Sequence, residues 1–215
     1  MLLFMKPTHE KDKFMNPFDF FDDIYCICIS SRKEKKRKAE QQFKQLGIFD
    51  RVEFFEAILS EPYWDGCRES HKECIRRAKE KGARNVLIFE EDVLFLHKDH
   101  KALEMCLDDL SKTDWDQFLL GGVVKEVKSH VTENLCLVNA YHTHAHALNR
   151  KFFDTVLSFE GDNNRYYDDG KRVWSRGSID IFLAEKTLKY MIKPIMAIQP
   201  DKGSNTLQRY YDNVL

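Results

Sequence analysis

The stretch Val86-Leu87-Ile88-Phe89-Glu90-Glu91-Asp92 decides how the chain is read. Four large apolar residues in a row mark a strand buried on both faces, and the carboxylates begin where it ends. Three adjacent carboxylates repel one another, so this arrangement is unfavourable unless a cation or hydrogen-bond donors offset it. In an extended chain Glu90 and Asp92 point one way and Glu91 the other. Ligand sites of open α/β sheets lie beyond the carboxyl ends of strands, where one or two carboxylates plus substrate phosphates hold Mg²⁺ or Mn²⁺. A solvated acidic turn is the plainer reading of the same residues.

Outward from that strand, apolar runs alternate with helical patterns. Residues 24–29 read as another buried strand. Ser31, with Glu34 three residues on, has the form of a capping box for a helix running to Leu46, which Gly47 stops. A strand over 52–58 follows, then a loop with Pro62 and Gly66, and a helix over 70–81 ended by Gly82. After the acids come an extended segment at 93–96, a helix over 98–110 and a buried strand at 117–120 closed by Gly121-Gly122. The remainder reads as a strand over 136–147, a helix from 151, a polar loop over 160–178, a helix over 179–190 and a short strand at 194–198. This alternation predicts an α/β fold, a mostly parallel mixed sheet flanked by helices. Residues 1–22, with Pro7, Pro17 and the Phe-rich patch, are expected to form an N-terminal arm, and 23–215 a single domain.

At 215 residues, 43% apolar, the chain can bury a sizeable core. Lys plus Arg number 34 against 35 for Asp plus Glu, which argues against gripping nucleic acid by bulk charge. The basic run from Arg32 to Lys38 is read as the solvated face of a helix. Six cysteines include no CxxC pair, and Cys26, Cys28, Cys106 and Cys136 sit in apolar stretches as small hydrophobes, so no disulfide framework is expected. The opening apolar run ends at Lys6, too short for a signal peptide, and nothing approaches the ~20 apolar residues of a membrane span. A cytoplasmic protein is expected.

In its order of motifs the chain resembles glycosyltransferase family 25, which includes lipooligosaccharide and procollagen galactosyltransferases. Ile27-Cys28-Ile29 before Ser30-Ser31-Arg32 resembles that family's opening strand and arginine-rich helix, and Phe55-Glu56-Ala57-Ile58 its second strand. Gly66-Cys67-Arg68-Glu69-Ser70-His71 is similar to its Gly-Cys-x-x-Ser-His element, and Leu87 to Asp92 to its metal motif, with Glu91 replacing the middle Asp. Asp116 to Gly121, Thr143-His144-Ala145, Ile179-Asp180-Ile181, Pro194, Gln199 and Ser204 follow in the family's order.

The resemblance implies a GT-A-type, Rossmann-like fold and metal-dependent, inverting transfer from a nucleotide-diphosphate sugar, UDP-sugars favoured, to a glycan or glycoconjugate hydroxyl. It implies Asp92 and Glu90 as ligands of Mn²⁺ or Mg²⁺, and Ser30, Arg32, Ala57, Ser70 and His144 as residues of the donor site. Asp180 would be the general base, with Asp168 and Asp169 as competitors; Tyr166, Tyr167 and Trp174 offer faces for an acceptor sugar. Each has a plainer alternative: Asp180 suits any helix N-terminus, and Cys67 reads as structural. His142, His144 and His146 alternate, so an extended chain puts three imidazoles on one face, a possible zinc site. A non-catalytic nucleotide-sugar or partner-binding module of the same fold is the other alternative.

Overall fold

The computed structural model describes residues 16–161, 166–168, 173–175 and 177–200. In chain order its elements are β1 (Asp23–Cys28), α1 (Lys33–Gln45), β2 (Val52–Glu56), α2 (Tyr63–Glu80), β3 (Asn85–Glu90) and β4 (Leu94–Phe95). There follow α3 (His100–Leu110), β5 (Gln117–Leu119), β6 (Val123–His130), β7 (Leu135–Tyr141), β8 (Ala145–Asn149) and α4 (Phe153–Leu157). The last are β9 (Tyr166–Asp168), β10 (Val173–Ser175), α5 (Ile179–Lys186), β11 (Lys189–Ile192) and β12 (Ala197–Ile198).

Eight strands form one sheet in the order β2-β1-β3-β8-β5-β11-β7-β6. β1 pairs in parallel with both β2 and β3, and β11 with β5, while β8 and β7 run against their neighbours. Most strands therefore point one way in a mixed sheet, the α/β class that the alternation predicts. The period-2 rule divides the core. Leu87 and Phe89 of β3 pack with α1 and α3 residues such as Phe43 and Leu107, and with the buried Phe18 and Phe21. Val86 and Ile88 pack on the opposite face with Ile75 of α2, Phe153 of α4 and Leu183 of α5.

Several boundaries differ from the sequence reading, each for a physical reason. The capping box at Ser31 does not form: Arg32 occupies the N-cap without a side-chain bond, and Glu34 pairs with Arg37 at 2.8 Å instead. α2 begins at Tyr63 rather than 70, with Gly66 inside it; a side chain there would come within 2.3 Å of Ile58 O, so glycine permits close packing against the β2–α2 loop. The expected strand over 136–147 is two strands, broken where His142 takes φ +86°. The helix from 179 stops at Lys186, and Lys189 and Tyr190 belong to β11. The polar loop over 160–178 contains the β9–β10 antiparallel pair. β6 escaped the sequence reading because Lys125, Glu126 and Lys128 interrupt its apolar pattern. It is a mostly exposed outer strand whose register against β7 slips twice.

The parallel register sets Cys28 beside Glu56 and Ile27 beside Glu90, so the carboxyl ends of β1, β2 and β3 open together. β12 pairs with β4, just past the acids, and its Ala197 carbonyl crosses Gly121 where a Cβ would lie 1.7 Å away. Gly121→Ala should therefore displace β12 and destabilise the protein by about 1–3 kcal/mol or more. A lowered urea midpoint in equilibrium unfolding would register it; an unchanged midpoint would contradict the packing described.

Candidate functional site

The three carboxylates at the end of β3 are answered by three different sets of donors. Glu91 turns inward and is 4% exposed; it accepts from Ile29 N and from Arg32 Nη1 at 3.2 Å. Burial pushes its carboxyl up, against the pull of the Ile29 N–H and the Arg32 guanidinium. Asp92 accepts from Lys35 Nζ at 2.9 Å. Glu90 accepts from the Thr143 hydroxyl at 2.9 Å and lies 3.4 Å from His71 Nε2. Burial would raise Glu90, but His71, the Thr143 hydroxyl and His144 outweigh it and hold the carboxyl at about 2. Glu91 and Asp92 lie in a turn closed by Val93 N and Glu90 O at 3.0 Å, rather than in an extended chain, yet Glu90 Oε2 and Asp92 Oδ1 still both face Gln199 Nε2, at 3.4 and 3.1 Å.

The other residues expected at the site fall into two groups. Ser30 and Arg32 are exposed at the mouth, with Ser30 N donating to Glu56 Oε1 at 2.9 Å. Ala57 sits just past β2, its N–H bonded to Cys28 O at 2.8 Å. Ser70 and His144 are buried at 1% exposure. The Ser70 hydroxyl accepts from Ile58 N at 2.8 Å and donates to Gly66 O at 2.7 Å, so it props the loop after β2. His144 supports the site from behind: its carbonyl accepts from Glu90 N at 2.9 Å, and its Nε2 lies 3.3 Å from Ala197 O. Both side chains are therefore engaged with backbone around the acidic corner.

The zinc site weighed as an alternative for the three alternating histidines does not form among the described residues. The break at His142 takes that residue out of the strand, His144 is engaged with Ala197, and His146 reaches across the sheet. His146 Nε2 lies 3.2 Å from His71 Nδ1, and its Nδ1 lies 3.1 Å from Gln117 Nε2. Burial and the neighbouring His71 push the His146 ring well below the ordinary histidine range.

α2 carries the rest of the scaffold. Arg68 Nη1 donates to Gly177 O at 2.9 Å, fixing the approach to α5, and Lys72 Nζ donates to Phe159 O at 2.9 Å. Phe159 stacks on Phe182 of α5 at 4.0 Å. Asp180, in the first turn of α5, accepts from the Ser178 hydroxyl and from Ile181 N. Burial pushes the Cys67 thiol well above its ordinary range, and the charges of Glu90, Asp180 and Asp92 push it further. Asp169 and Ser204 lie outside the described residues, as do the side chains of Tyr166, Tyr167, Asp168 and Trp174. Among the described residues, no helix is long and apolar enough to cross a membrane.

The chain matches no family model and no curated protein. Among solved structures it is similar to A197 from STIV, with a TM-score of 0.50 and 10% identity over 84% of this chain and 86% of that one. It is also similar to apo UDP-glucose pyrophosphorylase, with a TM-score of 0.47 and 10% identity over 88% and 79% of the two chains. A glycosyltransferase involved in the glycosylation of the major capsid of PBCV-1 gives a TM-score of 0.36 and 14% identity over 62% and 63%. At such identities the likeness to A197 shows the fold alone, and the two lower scores carry no further weight.

Two predictions come from these bonds. Glu91→Ala strips Ile29 N and Arg32 of their acceptor and should cost about 1–3 kcal/mol in urea unfolding; an unaltered midpoint would remove Glu91 from the scaffold. Burial, helped by His142, holds His144 at about 4, below the ordinary 6.5. The unfolded chain binds that proton first, so stability is complete above pH 6.5 and falls as pH drops through 4. Glu90, held at about 2, extends the loss below pH 4.5. His144 alone should contribute on the order of 2 kcal/mol to the wild-type loss between pH 7 and pH 5, beside what His146 adds, so His144→Gln should lose clearly less. Equal slopes for the two proteins would refute the assignment.

Proposed function

We propose that the chain is a metal-dependent glycosyltransferase. It would move a sugar, with inversion, from a nucleotide-diphosphate sugar, UDP-sugars favoured, to a hydroxyl of a glycan or glycoconjugate. The observation that carries this reading is the convergence of Glu90 Oε2 and Asp92 Oδ1 on one amide nitrogen of Gln199, at 3.4 and 3.1 Å. Two carboxylate oxygens that share one N–H donor group can share a divalent cation, and an all-oxygen pair suits Mn²⁺ or Mg²⁺. The ordered motifs of the family 25 resemblance support the same roles.

Asp92 and Glu90 would hold the ion, which when bound supplies Lewis-acid stabilisation to the leaving nucleotide. Arg32 and Lys35 bring positive charge to the same mouth, where a diphosphate would be neutralised. The exposed Ser30 and the backbone at Ala57 border the space for the nucleoside. Ser70 and His144 would keep that wall rigid. Asp180 would take the proton of the acceptor hydroxyl as it attacks the anomeric carbon, and the nucleotide diphosphate leaves from the opposite face.

A melting-temperature screen of nucleotide sugars with and without Mn²⁺ identifies the donor, since a ligand of the native state raises the midpoint by mass action. With that donor, Asp92→Ala should abolish metal-dependent turnover with the fold intact, and wild-type-like turnover would reject the assignment. Asp180→Asn should bind the donor normally while transfer falls by about 10²-fold or more; equal loss of binding and transfer would remove it as base. A protein that binds donor but never hydrolyses it with Mn²⁺ present would be a binding module instead.

A further inference from the structure

We propose a second, thiolate-bearing metal site on the α2 side of Glu90, built from Cys67 Sγ, His71 Nε2 and Glu90 Oε1 and suited to Zn²⁺. These three atoms lie within 4.8 Å of one another, the one grouping of its kind among the described residues. His71 Nε2 and Glu90 Oε1 are 3.4 Å apart. That is the edge of a tetrahedron whose metal–ligand bonds are about 2.1 Å, the length expected for zinc with nitrogen or oxygen. Cys67 and His71 stand four residues apart in α2, so both side chains project from one face, and β3 brings Glu90 up to them.

The unmet demand of His71 points to a ligand. Its side chain is fully buried, and Nε2 makes no well-aligned hydrogen bond, facing Glu90 Oε1 only at 3.4 Å. A buried polar atom left in this way is costly. The opposite ring nitrogen is fixed, because Nδ1 lies 3.2 Å from His146 Nε2, which Gln117 orients in turn. Orientation of one imidazole nitrogen by an outer partner, with the other aimed at a common point, is how histidine ligands are held. Thr143 fixes the third ligand by donating to Glu90 Oε1 at 2.9 Å.

The two oxygens of Glu90 serve different sides. Oε1 faces Cys67 and His71, and Oε2 faces Gln199 and Asp92. The sulfur-nitrogen-oxygen set selects a borderline-soft ion such as Zn²⁺ over Mg²⁺. On binding, the Cys67 thiol releases a proton to solvent, the His71 proton passes from Nε2 to Nδ1, His146 takes the matching tautomer with its proton on Nδ1 and the Gln117 amide turns its oxygen to that proton; water fills the fourth position. The inference does not depend on sugar transfer: it shares Glu90 with the Asp92 side, but Cys67 and His71 and all its readouts are its own.

The test uses the whole chain and zinc or cobalt ions alone. After equilibrium dialysis, elemental analysis should find one Zn²⁺ per chain in wild type and in Asp92→Ala. Cys67→Ser and His71→Ala should lose it, with about a 10²-fold or greater drop in affinity. Replacement by Co²⁺ in wild type should give a sulfur-to-cobalt charge-transfer band, which can be assigned because the other five cysteines are buried. Bound zinc should also slow alkylation of Cys67 by about tenfold or more, with chelator restoring the rate. The two wild-type readouts decide the matter even if a variant fails to fold. Absence of the band, unchanged alkylation, or zinc retained in a folded Cys67→Ser would overturn the site.

Discussion

Three carboxylates at the mouth of a buried strand can coexist because each is answered from a different direction. Glu90 is met from α2 and from the turn before β8, Glu91 from the end of β1, and Asp92 from α1. Gln199 closes the ring by donating to Glu90 and Asp92 together. Repulsion within the cluster is thereby converted into attachment, as five separate segments are drawn to one corner of the sheet. The tight approach of Ala197 to Gly121 belongs to the same logic, because it brings Gln199 within reach.

α2 does the complementary work. One stretch of this helix offers Cys67 and His71 to the acids, while Arg68 and Lys72 hold the chain that leads into α5. The position of Asp180 therefore depends on contacts made through a helix that begins just after β2. A mixed sheet suits this purpose. Parallel strands β2, β1 and β3 align their carboxyl ends, and the reversed β8 brings His144 and His146 in from the opposite direction to support them.

Much of the scaffold was legible in the sequence. Val86 to Phe89 announced the central strand, and Gly47 and Gly82 marked helix ends where the backbone takes positive φ. Glu90 and Asp92 face away from Glu91 as expected, though a turn after β3 rather than an extended chain sets them there. The failures share a cause in tertiary packing. Gly66 reads locally as a breaker, but its missing side chain is what admits α2 against Ile58 O. With that turn taken as loop, the common face of Cys67 and His71 was invisible. Nothing local marks the positive φ at His142, so the three histidines looked collinear. Thr143 and Gln199 lie 53 and 109 residues from Glu90, and no periodicity reports such partners. Glu91, which replaces the middle Asp of the resembled motif, is a side chain that ties the end of β1 to the end of β3.

The outer strands of the sheet have a consequence for how the molecule meets copies of itself. An open sheet offers unpaired N–H and C=O groups along each border, a template for fibrillar growth by strand addition. At β6 the register slips twice and most side chains are exposed, lysines and a glutamate among them; at β2, Glu53 and Glu56 are exposed beside Val52 and Phe54. An incoming strand would find an uneven ladder at the first border and would desolvate fixed charge at the second. The same charge and irregularity that hid β6 from sequence reading thus act as gatekeepers against amyloid-like stacking.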